Sequence, residues 1–249
     1  MTLPRARSRA VIGALAALLA TYLAVAAAPS DGMPAWSRAT TETWKRVFSD
    51  SFSGDTLNTK KWGVYGQNQR SAANAFVSKG HLVLRTTRIN GVWKAAGVSS
   101  SRALEQTYGR YVIRARLDKA VGTRAVALLW PAGGGWPPEI DFYEIGGLKA
   151  ARTHSYLTNH YSAQNLMQQD VSKADFSTWH RVSVTWSPRR IVYRTDGVVT
   201  AVQSGHSPST KMWLGLQSAV GSGAEAPDGT TPDKVDFKVD WVRVYHRVR

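Results

Sequence analysis

The 249-residue chain contains no cysteine, which removes thiol nucleophiles, zinc–thiolate sites and disulfides together. Acid is scarce too: 17 Asp and Glu stand against 32 Lys and Arg, a formal charge of +15. Helical periodicity is missing, since no stretch of about ten residues after the N-terminal segment repeats its apolar positions at three and four. Outside residues 10–28, no apolar run is long enough to cross a bilayer. Gly133-Gly134-Gly135 is followed by neither Lys-Ser/Thr nor a helix, so it is no phosphate-binding loop. The basic residues are scattered rather than blocked, with no helix-turn-helix or zinc-finger pattern. This argues against a nucleic-acid partner despite the charge.

Residues 1–28 combine Arg5, Arg7 and Arg9, an Ala/Leu-rich run from Ala10 to Ala28 and small residues at Ala24, Ala26 and Ala28. That is the pattern of a secretory signal peptide, and it makes the expected product extracellular. The run of about 19 residues is long for such a leader, so an uncleaved membrane anchor is the alternative. Residues 29–43, rich in Pro, Ser, Ala and Thr, read as a linker. Residues 44–249 are enough for one sizeable core without disulfides, and a monomer is expected. The three leader arginines account for three of the +15, leaving +12, an excess that favours anionic partners such as an acidic polysaccharide, a cell-wall polymer or a membrane surface.

Strand and turn signals recur through this part. Ala75-Phe76-Val77 and Leu82-Val83-Leu84 flank Lys79-Gly80, a short hairpin. Thr107 to Leu117 is a long strand, and Ala125 to Pro131 is a continuous apolar run of the kind buried on both faces. Phe176 to Pro188, Ile191-Val192-Tyr193 and Asp196-Gly197 alternate strand and turn, with Trp179 and Trp186 assigned to the core. Val235, Phe237, Val239 and Trp241 alternate with Asp236, Lys238 and Asp240. From Trp241 the phase reverses, as if both faces were covered there. About a dozen short strands without helices predict an all-β sandwich of two antiparallel sheets.

The most informative stretch is Trp136-Pro137-Pro138-Glu139-Ile140-Asp141-Phe142-Tyr143-Glu144-Ile145-Gly146-Gly147. Its Ile, Phe and Tyr are strand formers, and alternation puts Glu139 and Asp141 on one face and Ile140 and Phe142 on the other. Glu144 is out of phase and would be buried among apolar side chains. One extra residue, a β-bulge at Phe142 or Tyr143, returns all three acids to one surface. Carboxylates so crowded repel one another, and some of them hold protons that free Asp and Glu would release. A retaining glycosidase needs that split: an ionised nucleophile and a protonated acid/base across the scissile bond. Glu139 and Glu144 are the candidates, with Asp141 between them.

Glu-x-Asp-x-x-Glu on a strand, with Trp-Pro before it and Gly after it, resembles the signature of glycoside hydrolase family 16, in particular its laminarinase, agarase and carrageenase-like bulged branch. The resemblance runs from about residue 44 to 247. It takes in Val47-Phe48-Ser49-Asp50-Ser51-Phe52, Tyr108-Gly109-Arg110-Tyr111, Thr158-Asn159-His160-Tyr161, Trp179-His180 and Val239 to Tyr245. It departs at Ser51 and Val112, where a Glu is common. What it implies is a jelly-roll sandwich with a concave substrate cleft, Glu139 as nucleophile, Asp141 as helper, Glu144 as acid/base and His160 beside them. It also implies a structural calcium ion at Asp240, although Ser51 replaces the expected partner.

Ten tryptophans exceed what one core needs, and sugar rings stack on aromatic faces. Trp136, Trp130 and Tyr65 are the expected stacking residues, and the loops 64–74, 131–138 and 218–232 the expected cleft walls. The predicted protein is a secreted retaining endo-glycosidase that requires no cofactor. Its expected substrate is a β-1,3- or mixed-linkage β-glucan. An acidic or sulfated galactan or a bacterial exopolysaccharide is the alternative substrate, and transglycosylation a variant of the same chemistry. A non-catalytic carbohydrate-binding sandwich is the alternative from another class, and the presence of all three acids argues against it.

Overall fold

The computed structural model describes residues 42–66 and 69–248. The expected leader and nearly all of the expected linker lie outside the described residues. Among those described, no helix is long and apolar enough to cross a membrane, and the helical elements are two 3₁₀ turns, Ala72–Asn74 and Gly223–Glu225.

Two sheets face each other, and every pairing between their strands is antiparallel. The outer sheet runs β14 (Val198–Ser204), β13 (Arg190–Thr195), β12 (His180–Trp186), β7 (Gly109–Leu117), β16 (Lys234–Val248), β4 (His81–Ile89), β3 (Ala75–Ser78). To it β1 (Thr43–Asp50) adds on β16 and β5 (Val92–Lys94) on β4. The inner sheet runs β11 (Met167–Lys173), β10 (His154–His160), β9 (Glu139–Ile145), β8 (Thr123–Pro131), β15 (Met212–Val220), β6 (Gly97–Ser99), β2 (Gly63–Val64). This is the predicted jelly-roll sandwich, and β1 opens one residue before the expected domain start. Lys79 and Gly80 both take positive φ, 51° and 73°, which makes the β3–β4 link the two-residue hairpin whose twist matches its strands.

The core lies between the sheets. Tyr111, Ile113 and Ala115 of β7 and Phe237, Val239, Val242 and Val244 of β16 meet Ile140, Phe142 and Tyr143 of β9 and Leu214 and Leu216 of β15. Tyr143 stacks on Phe237 across the interior, ring centroids 5.4 Å apart. Each large side chain so buried contributes about 1.5–3 kcal/mol. The phase reversal in β16 has a different cause from the one expected. Val239 pairs with Ala115 and Trp241 with Arg114, so Asp240 is an extra residue. The bulge returns Val242 and Val244 to the core, and no second covering layer is needed. Trp186 is core as predicted, its indole N–H donating to the Pro208 carbonyl at 2.9 Å. Trp179 is not: it stands half-buried, stacked on His81 at 5.0 Å with Arg114 and Arg116 over its ring.

Arg152, fully buried, fixes the strands that carry the cleft. It donates to the carbonyls of Asp118, Thr123 and Gly146 and to the Thr123 hydroxyl at 2.7–3.0 Å. These bonds tie the end of β9 to the start of β8. Burial lowers its pKa to about 10, and carbonyl oxygens, not a carboxylate, satisfy it.

Candidate active site

In β9 the predicted bulge is present. Leu128 of β8 pairs with Asp141 and Ala127 with Tyr143, leaving Phe142 as the extra residue, and β10 shifts register at the same place. Phe142 and Tyr143, neighbours in sequence, both enter the core. Glu139, Asp141 and Glu144 therefore share the opposite, cleft-facing side.

Each acid meets different neighbours. Glu139 accepts a hydrogen bond from the Trp136 indole N–H at 2.8 Å. Asp141, 3% exposed, has His160 Nε2 3.5 Å from its Oδ2, and polar atoms of Glu139, Asp141 and His160 lie within 4.8 Å of one another. His160 is held from its other side by Asn165, 3.1 Å from Nδ1, and its ring lies 5.5 Å from that of Trp136. Glu144 accepts from Arg124 Nη2 at 3.1 Å and from the Thr158 hydroxyl at 3.4 Å, while its backbone N–H donates to Ser155 Oγ. Arg124 also approaches Glu225, at 3.4 Å, so the 218–232 loop reaches the cleft through Glu225.

The electrostatics follow from burial. Loss of solvent raises the Asp141 carboxyl to about 8, with the charges of Glu139 and Glu144 adding to the shift and His160 opposing it. Burial raises Glu139 also, against the Trp136 hydrogen bond and the nearby imidazole. His160 is raised chiefly by its contact with Asp141. All three shifts point the same way: the cluster holds protons more tightly than its members would alone.

The cleft floor is read from register. On β8, Arg124, Val126, Leu128 and Trp130 turn to the cleft while Ala125, Ala127 and Leu129 enter the core. Trp130 sits directly across from Trp213 of β15. Tyr65, half-buried, lies over two glycines: a Cβ on Gly97 would fall 2.3 Å from its ring, and one on Gly215 would fall 3.0 Å from its hydroxyl. Its ring is 6.4 Å from Trp213 and has the Arg70 guanidinium 5.6 Å above it, and Arg70 donates to Gln217 at 2.9 Å. Burial pushes the Tyr65 phenol up, with Glu139 adding to the shift. The sequence-predicted residues Glu139, Asp141, Glu144, Trp136, His160, Trp130 and Tyr65 thus share one face of one sheet.

Arg124, Thr158, Ser155, Trp213 and Glu225 escaped sequence reasoning. For Arg124 a signal existed, since it is in phase with Trp130 along β8. Asp240 stands apart on the outer sheet, where Arg114 Nη1 is 2.6 Å from one carboxylate oxygen and His81 Nε2 3.8 Å from the other. Calcium takes six to eight oxygen ligands, and a carboxylate engaged by two nitrogen groups does not fit that set.

The inner sheet of this jelly-roll sandwich thus carries two glutamates around a buried aspartate on one face. The profile described as Glycosyl hydrolases family 16 matches residues 53–243, and the chain belongs to that family. It is 29% identical over 163 residues to the endo-1,3-1,4-beta-glycanase ExsH of Rhizobium meliloti, covering 63% of this chain and 34% of ExsH. The keratan-sulfate endo-1,4-beta-galactosidase of Sphingobacterium multivorum is 25% identical, over 83% of this chain and 56% of its own length. The chain thus spans about a third of ExsH and little more than half of the galactosidase. The laminarinase catalytic domain of Thermotoga petrophila superposes with a TM-score of 0.73 at 24% identity, over 84% of this chain and 100% of that domain. That of Thermotoga maritima superposes with a TM-score of 0.75 over the same shares.

Proposed function

We propose that the protein is a secreted, monomeric, retaining endo-glycosidase that hydrolyses a β-1,3- or mixed-linkage β-glucan. The observation that carries this reading is the bulge at Phe142, which sets Glu139 and Glu144 on either side of buried Asp141 in a cleft floored by Trp130, Trp213 and Tyr65. Glu139 attacks the anomeric carbon as the glycosidic bond breaks, and Glu144 delivers a proton to the departing oxygen. Water, deprotonated by Glu144, then cleaves the glycosyl–Glu139 ester and restores both groups. Asp141, holding its proton, donates a hydrogen bond to the Glu139 carboxylate in the resting site and again as hydrolysis of the ester returns the negative charge to Glu139. Trp136 holds Glu139 through its indole N–H and offers its face to a sugar ring. The leader-like sequence of residues 1–28 supports secretion, and the activities named for the relatives support a β-glucan.

The test is reducing-end release from laminarin, a mixed-linkage glucan and an acidic galactan by the parent, Glu139→Gln and Glu144→Gln. Cutting of a glucan by the parent alone is expected, with each substitution costing roughly 10³-fold or more. A parent that binds a polymer and never cuts it would replace this reading with that of a binding module.

A further inference from the structure

The outward face of the outer sheet carries a second concentration of charge, cationic where the cleft is anionic. Arg194, Ser183, Val112 and Arg243 form one row across β13, β12, β7 and β16, and Thr185, Arg110, Tyr245 and Arg46 the next across β12, β7, β16 and β1. Beside the first row, Arg181 faces Arg114 and Arg114 faces Trp241. Arg114 is neutralised by Asp240 at 2.6 Å. Among the described residues, Arg46, Arg110, Arg181, Arg194 and Arg243 have no carboxylate within ion-pair distance.

The Asp240 bulge shapes this face. By turning both Asp240 and Trp241 outward, it raises a ridge of Trp241 and Arg243, whose guanidinium lies 4.4 Å from the indole ring. A groove of about 390 Å³ runs along one side, lined by Arg110, Arg181, Arg194 and Tyr245, and one of about 400 Å³ along the other, reaching Arg46, Asp50 and Lys61. Asp50, the carboxylate there, is engaged by Trp62 at 2.9 Å and Lys61 at 3.7 Å. Arg110 and Arg194 share one hydroxyl, that of Thr185, at 3.3 and 3.4 Å. Burial, then the charge of Arg194, lowers the Arg110 pKa, with the Glu42 carboxylate opposing but not reversing the shift. Like charges held this close are relieved by an anionic ligand, and the planar guanidinium matches carboxylate or sulfate in two-point contact.

We propose that this face is a second glycan-binding site, remote from the cleft, which holds an acidic polysaccharide through its carboxylate or sulfate groups. Arg110, Arg194 and Arg243 take the anions, and Tyr245 and the ridge of Trp241 take the faces of the sugar rings. Arg194 and Arg243 lie three strands apart, roughly 14 Å at the usual strand spacing, so an extended chain laid across the strands meets both. The choice of a polysaccharide over another polyanion rests on the glycan-cleaving reading of the opposite sheet.

The experiment measures binding of the full chain carrying Glu139→Gln, which leaves polymers intact, to polygalacturonate and to neutral laminarin. Combined Arg110→Ser, Arg194→Ser and Arg243→Ser is expected to weaken polygalacturonate binding at least tenfold and to leave laminarin binding unchanged. The matched control, Lys149→Ser, Lys173→Ser and Lys211→Ser, is expected to change polygalacturonate binding less than threefold. Salt weakens the first interaction and not the second. Equal losses in both triple variants, absence of polygalacturonate binding, or displacement of polygalacturonate by duplex DNA at lower charge concentration would each overturn the proposal. Melting temperature checks that the arginine variant folds. Should it not, Arg243→Glu alone serves, with a severalfold loss expected and an unchanged affinity counting against the site. Failure of glucan cutting, measured separately with the unsubstituted chain, would sink the catalytic reading and leave this binding result as it stands.

Discussion

β9 and β16 each contain one residue more than their partners, and they place it on opposite sides. In β9 the bulge sends two adjacent aromatic side chains, Phe142 and Tyr143, into the core, so that the acids on either side keep to the cleft. In β16 it sends two adjacent side chains, Asp240 and Trp241, outward, so that Val242 and Val244 keep to the core. The same backbone device serves an acidic, cleft-facing surface in one strand and a packing surface in the other. Which role it plays is told by the residues on the side that alternation would have put wrong: a glutamate in β9, two valines in β16.

Removing the extra residues sharpens this contrast. Without Phe142, plain alternation again puts Glu139, Asp141 and Glu144 on one face. The deletion is therefore expected to cost about 3–5 kcal/mol, as for removal of a buried Phe side chain, yet to retain more hydrolysis than Glu144→Gln. Chemical denaturation together with reducing-end assays would check this, and a deletion variant that folds with no activity would show that the bent strand itself is required.

A comparable but pH-dependent effect is expected at Asp141. Its folded-state pKa of about 8 lies above the usual unfolded value of about 3.9, so the folded chain binds the extra proton between these limits. Its contribution to stability is fully present below about pH 4 and declines until about pH 8. Asp141→Asn removes that decline, so its melting temperature relative to the parent should rise from pH 5 to pH 8. A constant difference across the range would contradict the raised carboxyl.

Smallest of all is deletion of Asp240. It removes a half-exposed pair with Arg114, worth about 0–1 kcal/mol, and leaves Val242 and Val244 in phase. Because the Asp240 surroundings do not suit calcium, a chelator should leave the parent's melting temperature unmoved, and a chelator-induced fall would reopen that site.

The strand pattern carried most of the fold. Strand-forming runs bounded by turn residues are enough to place the Lys79-Gly80 hairpin and β7 and to assign Trp186 to the core, and the odd spacing of Glu144 locates the β9 bulge. The β16 reversal was equally visible, yet it read as double coverage because two valines out of phase are compatible with either cause. Trp179 read as core because a tryptophan's apolar bulk says nothing of the arginines across the sheet that share its ring. Arg124 and Thr158 come from separate stretches of chain and meet Glu144 only through pairing in the sheet, while Glu225 reaches Arg124 from a loop, non-local facts that no local motif encodes. The family resemblance implied calcium at Asp240, but the nitrogen groups beside it, from Arg114 and His81, arrive from β7 and β4.

Gly97 and Gly215 lie beneath Tyr65 like the bed of a vice from which the padding has been taken out. Because the ring rests where two methyl groups would be, its height above the sheet is set from below, by residues without side chains. Gly97→Ala would push the phenol toward the opening and thin the space above it, a change of gauge made without altering a single group on the working surface. The depth of that face is thus written into two positions that carry no side chain at all.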